Sequence, residues 1–239
     1  MRIPLTPVEG DRARKIGRQV AHALEATARN LQRLQTESEV AGEIAHRLMK
    51  HEIQPVQIQV TADTRTTRYR QWGYSGEPVR RWCVLRVVAQ RWGLHVAAAR
   101  TVSLDVPDQE LLRSHQHAAL VQATAIYFSQ MNWALGDVLD KTRRIYEKFD
   151  HADEWRLAEQ GHVQGYRPSE VPVTPRCEYR LAANTSLYWR PSIGPAQLGD
   201  SFLLNADGFE ILTPIEVWPS LEVAVKDVPI VCPGILIKG

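Results

Sequence analysis

The order in which periodicities change along this 239-residue chain constrains its fold more than any single motif: two helical stretches precede a set of strands, and the same succession then begins again. From about Pro7 to Leu34, Ile16, Val20, Leu24, Ala28 and Leu31 recur at helical spacing with most charges on the other face, which predicts an amphipathic helix. Thr36 and Glu39 stand at capping-box spacing ahead of a second helix, carried by Val40, Ile44, Ala45 and Leu48 to about Lys50. Past His51, alternation and β-branched content in IQPVQIQVTA and in WCVLRVVAQRWGLHVAAARTVSL predict strands, with Trp92-Gly93 as a turn and a polar loop from Asp63 to Arg81 between them.

Asp105 to Asp108 then opens a long helix bearing Leu111, Leu112, Ala118, Leu120, Val121, Ala125 and Phe128, and Leu135 to Phe149 supplies a shorter one with Val138, Leu139 and Ile145. Short strand candidates follow at Gly161–Tyr166, Thr185–Trp189, Ser201–Leu204 and Phe209–Thr213, separated by turn signals such as Ala206-Asp207-Gly208. This duplication predicts an α+β fold with two similar helix-helix-strand halves, about 6–104 and 105–219, each covering its part of a curved antiparallel sheet. Residues 220–239 read as a Pro-punctuated C-terminal tail packed on the surface.

With 44% hydrophobic residues the chain can bury one substantial core, so a single domain spanning 1–239 is expected. Lys plus Arg outnumber Asp plus Glu by 29 to 27, and a net charge of +2 provides no global field for nucleic acid or an anionic membrane. The N-terminal residues lack the apolar stretch of a signal peptide and no later run is long enough to span a bilayer, which makes a cytoplasmic protein the expectation. Cys83, Cys177 and Cys232 form no CxxC pair and read as reduced thiols, not as a zinc site. Arg65, Arg68, Arg70, Arg80 and Arg81 interleave with Tyr69, Trp72 and Tyr74, a composition compatible with nucleic-acid contact, but Asp63 and Glu77 balance it and a solvated loop is favoured. His115 and His117, two apart on a helix, point to different faces and are not expected to share a metal.

The most specific stretch runs from Gly161 to Pro219: GHVQGYRPSE, then LAANTSLYWRPSIGPAQLGDSFLLNADGFEILT, and finally EVWP. Its order resembles the C-terminal half of the creatinase, aminopeptidase P and methionine aminopeptidase superfamily, in which a GHGxG segment is followed by a His-Glu pair, a strand ending in Glu-Pro, a Glu-Asp strand and a dG(x)exLT hairpin. The counterparts are His162 with Gly165, Ser169-Glu170, Arg190-Pro191, Gly199-Asp200, and Asp207-Gly208 through Leu212-Thr213, while Gly93, Arg100 and Thr101 fit the upstream strand pair. The resemblance implies a pita-bread fold over nearly the whole chain, without the long N-terminal domain of aminopeptidase P and creatinase. It also carries homodimerisation as a partner expectation.

The departures from that pattern bear on function. Metallopeptidases of the superfamily hold two divalent ions with two Asp, one His and two Glu, because bridging carboxylates neutralise paired cations and orient an attacking water. In register, the Asp slots fall on Arg86 and Ala97, the His slot on His162 and the Glu slots on Arg190 and Gly199, so one ligand of five survives. Guanidiniums in two slots would repel a cation. No bound metal or other cofactor is therefore expected. The superfamily's auxiliary histidines are replaced by Ser169 and by Gln71 or a neighbour.

Arg86 and Arg190 are expected to project from neighbouring strands into the hollow of the old metal site, with Asp200, Glu170, His162, Tyr166, Tyr188 and Gln71 around them. Either the arginines pair with Asp200 and Glu170 and plug the site, or two guanidiniums and a histidine form a pocket for a small anionic ligand. His162 is also the candidate general base, oriented by Asp200 or Glu170; creatinase is a precedent in the superfamily for C–N hydrolysis without metal. The leading expectation is a pseudoenzyme that binds a peptide, a protein or a small anion in the old cleft. The alternative is a metal-independent hydrolase or lyase acting on a C–N bond of a small carboxylate-bearing substrate, and a residual aminopeptidase ranks third.

Overall fold

The computed structural model describes residues 3–71 and 73–238; Trp72, one aromatic of the arginine-rich loop, lies outside the described residues. The elements run α1 (Pro7–Asn30), α2 (Glu37–Met49), β1 (Gln54–Ala62), the one-turn α3 (Arg65–Arg68), β2 (Trp82–Arg91), β3 (Leu94–Ser103), α4 (Gln109–Phe128) and α5 (Leu135–Lys148). After a 3-10 turn at Glu154–Arg156 come β4 (Gly161–Gln164), β5 (Val171–Pro172), β6 (Ser186–Trp189), β7 (Ser192–Ile193), β8 (Ala196–Gln197), β9 (Gly199–Asn205) and β10 (Gly208–Ile211). The chain closes with β11 (Ser220–Val225), β12 (Val228–Pro233) and β13 (Ile235–Ile237).

Local chemistry sets the boundaries. Thr6 with Glu9 and Thr36 with Glu39 form reciprocal capping boxes at the starts of α1 and α2, and the Asp108 carboxylate accepts the Leu111 N–H at 2.9 Å to open α4. The β2–β3 hairpin turns through Trp92 and Gly93, both at positive φ (53° and 81°), which matches the right-handed twist of the strands.

The main sheet has the strand order β1-β2-β3-β9-β6-β4-β5, with β10 paired to β9 and β13 to β3. It is antiparallel and curled into a half-barrel, apart from β13, which runs parallel to β3. Two apolar clusters, one per half, lie between sheet and helices. Ile16, Val20 and Leu24 of α1 and Val40, Ile44 and Leu48 of α2 pack with Leu85, Val87 and Val96; Val121, Ile126, Val138 and Leu139 of α4 and α5 pack with Val163, Leu187, Trp189 and Phe202. Each such aliphatic side chain, removed from water, contributes about 1.5–3 kcal/mol before entropy is charged against it.

The C-terminal residues are more deeply integrated than the surface-packed tail expected. Val225, Ile230 and Cys232 of the β11–β12 hairpin are buried in the second cluster, and β13 adds to β3 along Thr101–Ser103. His115 of α4 reaches the Pro233 carbonyl at 2.9 Å, and burial pushes its imidazole down to about 4, so it is a neutral donor. Prolines at 229 and 233 are tolerated because this two-stranded ribbon is all edge. Among the described residues no helix is long and apolar enough to cross a membrane.

Candidate functional site

Successive residues of a strand face opposite sides, so the burial of Leu85, Val87 and Ala89 against the helices leaves Val84, Arg86 and Val88 on the inner face of the sheet. By the same parity β6 turns Leu187 and Trp189 to the helices and Tyr188 inward, and β4 turns Val163 to the helices and His162 and Gln164 inward. Arg190, just beyond β6, follows Tyr188 at the inward spacing. The sequence register thus placed Arg86, Arg190, His162 and Tyr188 on one face.

Arg86 and Arg190 do not come from neighbouring strands, contrary to expectation: β3 and β9 lie between β2 and β6. The two arginines can share a site because the intervening strands carry only small residues there, Ala97 and Ala99 on β3 and Gly199 and Ser201 on β9. The Arg86 Nε donates to the Tyr188 hydroxyl at 3.3 Å and its Nη1 to Gln57 Oε1 at 3.4 Å, with its guanidinium carbon 5.6 Å from the centre of the Tyr188 ring. The His162 ring tilts against the same tyrosine at 5.5 Å between centroids.

The organising anion is one the sequence did not reveal. Glu159, in the loop before β4, meets His162 Nδ1 at 3.1 Å through Oε1 and accepts Arg190 Nη2 at 3.3 Å through Oε2. The Ser169 hydroxyl donates to Oε1 at 3.4 Å. Gln71, with its amide oxygen turned toward its donors, accepts the Glu159 N–H at 3.2 Å and an Arg190 Nη2 hydrogen. Gln71 and Ser169, from two separate loops, therefore both converge on Glu159.

Three expected neighbours do not belong to this cluster. Asp200 pairs in register with Trp189, which turns it to the helix side; there its carboxylate accepts Arg100 Nη1 at 2.8 Å, Gln122 Nε2 at 2.9 Å and the Thr213 hydroxyl at 2.9 Å. Glu170 caps its own loop by accepting the Arg167 N–H at 3.0 Å. Tyr166 points its hydroxyl at Glu9 of α1, 2.5 Å away. The expected pairing of Arg86 and Arg190 with Asp200 and Glu170 is thus replaced by a single pair, Arg190 with Glu159.

The electrostatics follow from burial. Arg86 is 4% exposed, Arg190 6% and His162 3%, and Tyr188 is fully covered. Burial followed by the charge of Arg86 lowers Arg190 to about 10, which leaves it protonated at neutral pH. Burial would raise the Glu159 carboxyl, but its hydrogen bonds and attractions to His162 and Arg190 outweigh that and hold it at about 2. Burial, reinforced by Arg86 and Arg190 and opposed by Glu159, lowers His162 below its ordinary range, so the imidazole is neutral. Among the described residues no carboxylate lies within ion-pair distance of Arg86.

Several buried polar atoms on this face have no hydrogen-bond partner within the protein: His162 Nε2, Arg190 Nε, Gln164 Oε1, Gln59 Oε1 and Gln197 Nε2. Gln59 lies directly across from Arg86 on β1. A buried donor or acceptor left unmatched costs about 1–3 kcal/mol. The inner face is therefore polar, cationic and incompletely satisfied by its own groups.

These residues do not fit a pair of divalent ions. Two of the positions at which the resemblance leads metal ligands to be expected carry the guanidiniums of Arg86 and Arg190, and Gly199 has no room for a side chain: a Cβ there would lie 2.8 Å from both the Tyr188 hydroxyl and the Trp189 carbonyl. Among the described residues no three His, Cys, Asp or Glu side chains come together as a metal site.

The arginine-rich loop is largely paired within the chain. Arg70 meets Glu154 at 2.7 Å, Arg81 meets Asp108 at 2.9 Å, and Asp63 accepts the backbone N–H groups of Arg80 and Arg81.

No family model matches the sequence, and no curated protein matches it. Solved structures do. The chain superposes on a dipeptidase PepE from Mycobacterium ulcerans with a TM-score of 0.83 at 17% identity, covering 90% of this chain and 60% of that one. A prolidase from Pyrococcus furiosus gives 0.83 at 18%, over 90% and 66%. A methionine aminopeptidase from Rickettsia prowazekii gives 0.74 at 13%, over 90% and 100%. The chain thus spans less than two thirds of the length of the first two and the whole of the third. Helix order, the half-barrel sheet and these superpositions agree: this chain has the pita-bread fold of the creatinase, aminopeptidase P and methionine aminopeptidase type.

Proposed function

We propose that this chain is a metallopeptidase-like pseudoenzyme whose inner face, stripped of metal ligands, binds a small anionic ligand. The observation that carries the reading is Arg86: a guanidinium buried to 4% exposure, near a second guanidinium, with no carboxylate partner among the described residues. An unpaired buried charge is strongly unfavourable, and a bound anion would offset it with the bidentate geometry that arginine provides. Glu159 neutralises only one of the two arginines.

The test is calorimetric titration of the purified chain with sodium acetate, paired with an aminopeptidase assay after loading with Mn, Co or Zn. Acetate binding that Arg86→Met removes supports the reading. Release of N-terminal residues from a peptide library that His162→Ala abolishes would overturn it.

One observation favours a second reading, a metal-independent hydrolase or lyase. His162 is held through Nδ1 by Glu159, which Arg190 and Gln71 fix in turn, and its buried Nε2 has no partner, which is the arrangement of an oriented base. This reading requires turnover of a small carboxylate-bearing C–N substrate that resists chelators; chelator-sensitive turnover counts against it.

A further inference from the structure

The groups that face the site also specify its ligand, an inference that rests on the anion-binding reading above. Charge comes first. The formal charges facing the cluster are Arg86 from β2, Arg190 beyond β6 and Glu159 from the loop before β4, with neutral His162 on β4 and the Tyr188 hydroxyl on β6 beside them. Two guanidiniums against one carboxylate leave a single positive charge. A monoanion cancels it. A phosphate dianion would bring surplus negative charge against Glu159, and a zwitterion would carry an ammonium into a cationic cluster and leave the balance uncorrected.

Hydrogen-bond direction comes second. Ionised Glu159 can only accept, so the proton of neutral His162 sits on Nδ1 and its Nε2 is an acceptor. That Nε2 is buried without a partner, and so is the oxygen of Gln164 two residues along the same strand. The unmatched donors on this face are Arg190 Nε, beside Glu159 and His162, and Gln197 Nε2. A ligand that completes the site therefore presents a carboxylate to Arg86, an N–H to His162 Nε2 and a carbonyl oxygen to Arg190 Nε. Size comes third: Gln57, Gln71 and Ser169 are exposed and Glu159 is half-buried, while Arg86, His162, Tyr188 and Arg190 are covered, so a ligand that enters past that rim has to be small.

We infer that the ligand is a small N-acylated amino acid, a monocarboxylate whose nitrogen is blocked as an amide and carries no positive charge. A peptide with a free amino terminus is disfavoured by the same charge count.

The experiment is isothermal titration of the full chain at pH 7.5 with four probes: N-acetylglycine, acetate, glycylglycine and inorganic phosphate. N-acetylglycine is expected to bind at least tenfold more tightly than each of the others. Arg86→Met should weaken it at least tenfold and Arg86→Lys by less, both with unchanged circular dichroism, whereas His162→Phe should remove the preference over acetate and leave acetate binding in place. Equal or tighter binding of glycylglycine or phosphate, or retention of the preference in His162→Phe, overturns the ligand class while the anion site stands. Failure of N-acetylglycine, acetate and phosphate alike to bind overturns both.

Discussion

Two buried arginines on adjacent strands of one sheet meet opposite conditions. Arg100 of β3 faces the helices and gives Nη1 to Asp200 at 2.8 Å and Nη2 to the Thr213 carbonyl at 3.0 Å, while Gln122 of α4 supports the same carboxylate. Arg86 of β2 faces inward and holds two long hydrogen bonds to neutral oxygens. The first arrangement ties β3 of one half to β9 and α4 of the other, so it serves the fold. The second adds a desolvated charge without a matching anion, and such local violations of good packing chemistry concentrate where a protein binds something.

If that contrast holds, the two sites respond differently to damage. The largest effect is expected on the helix side: Arg100→Ala leaves the Asp200 carboxylate buried without its cation, and urea denaturation should show a loss of about 3–5 kcal/mol. A loss below about 1 kcal/mol would erase the distinction between the two arginines. Next is Gly199→Ala, whose methyl would press on the Tyr188 hydroxyl and the Trp189 carbonyl. Thermal and chemical denaturation should register a cost of about 1–3 kcal/mol, and carboxylate affinity should fall with it because Tyr188 braces Arg86.

Of similar size, but seen only on acidification, is a pH effect confined to the inner face. The Glu159 carboxyl is held at about 2 against an ordinary 4.5, so its contribution is fully present above pH 4.5 and is lost as pH falls toward 2. His162, lowered from 6.5, acts with the same sign: the unfolded chain takes up its proton first, so stability also declines as pH drops below about 6.5. Glu159→Gln should flatten the lower window by roughly 2 kcal/mol, allowing for the partial exposure of the group. An unchanged stability profile between pH 4.5 and 2 in that variant would remove Glu159 as the anchor of the cluster.

Much of the fold was legible in the sequence because its signals are local. The Thr36–Glu39 capping box, the Asp108 cap, the Trp92-Gly93 hairpin and the repeat of helix pairs before strands all depend on neighbours in the chain. The superfamily resemblance, not periodicity, led Arg86, Tyr188 and His162 to be expected around one hollow. What escaped depends on pairing between distant segments. Asp200 faces Arg100 because β9 pairs with β6 in the register Trp189↔Asp200, which no periodicity within either strand specifies. Glu159 stands in a loop, where parity says nothing about direction. The final strands were obscured by prolines that an edge ribbon accommodates, and their buried faces are short.

The most direct test of the account is the unfolding free energy of Arg86→Met beside the wild type, measured in urea without added carboxylate and again with N-acetylglycine. Without the ligand, the variant should equal the wild type or exceed it by about 1 kcal/mol, since an unmatched buried charge has been removed. With the ligand, only the wild type should gain stability, as binding to the folded state requires. A variant that instead loses 3 kcal/mol or more in the absence of ligand would show Arg86 to be a structural plug, and the inner face would not be the binding site described.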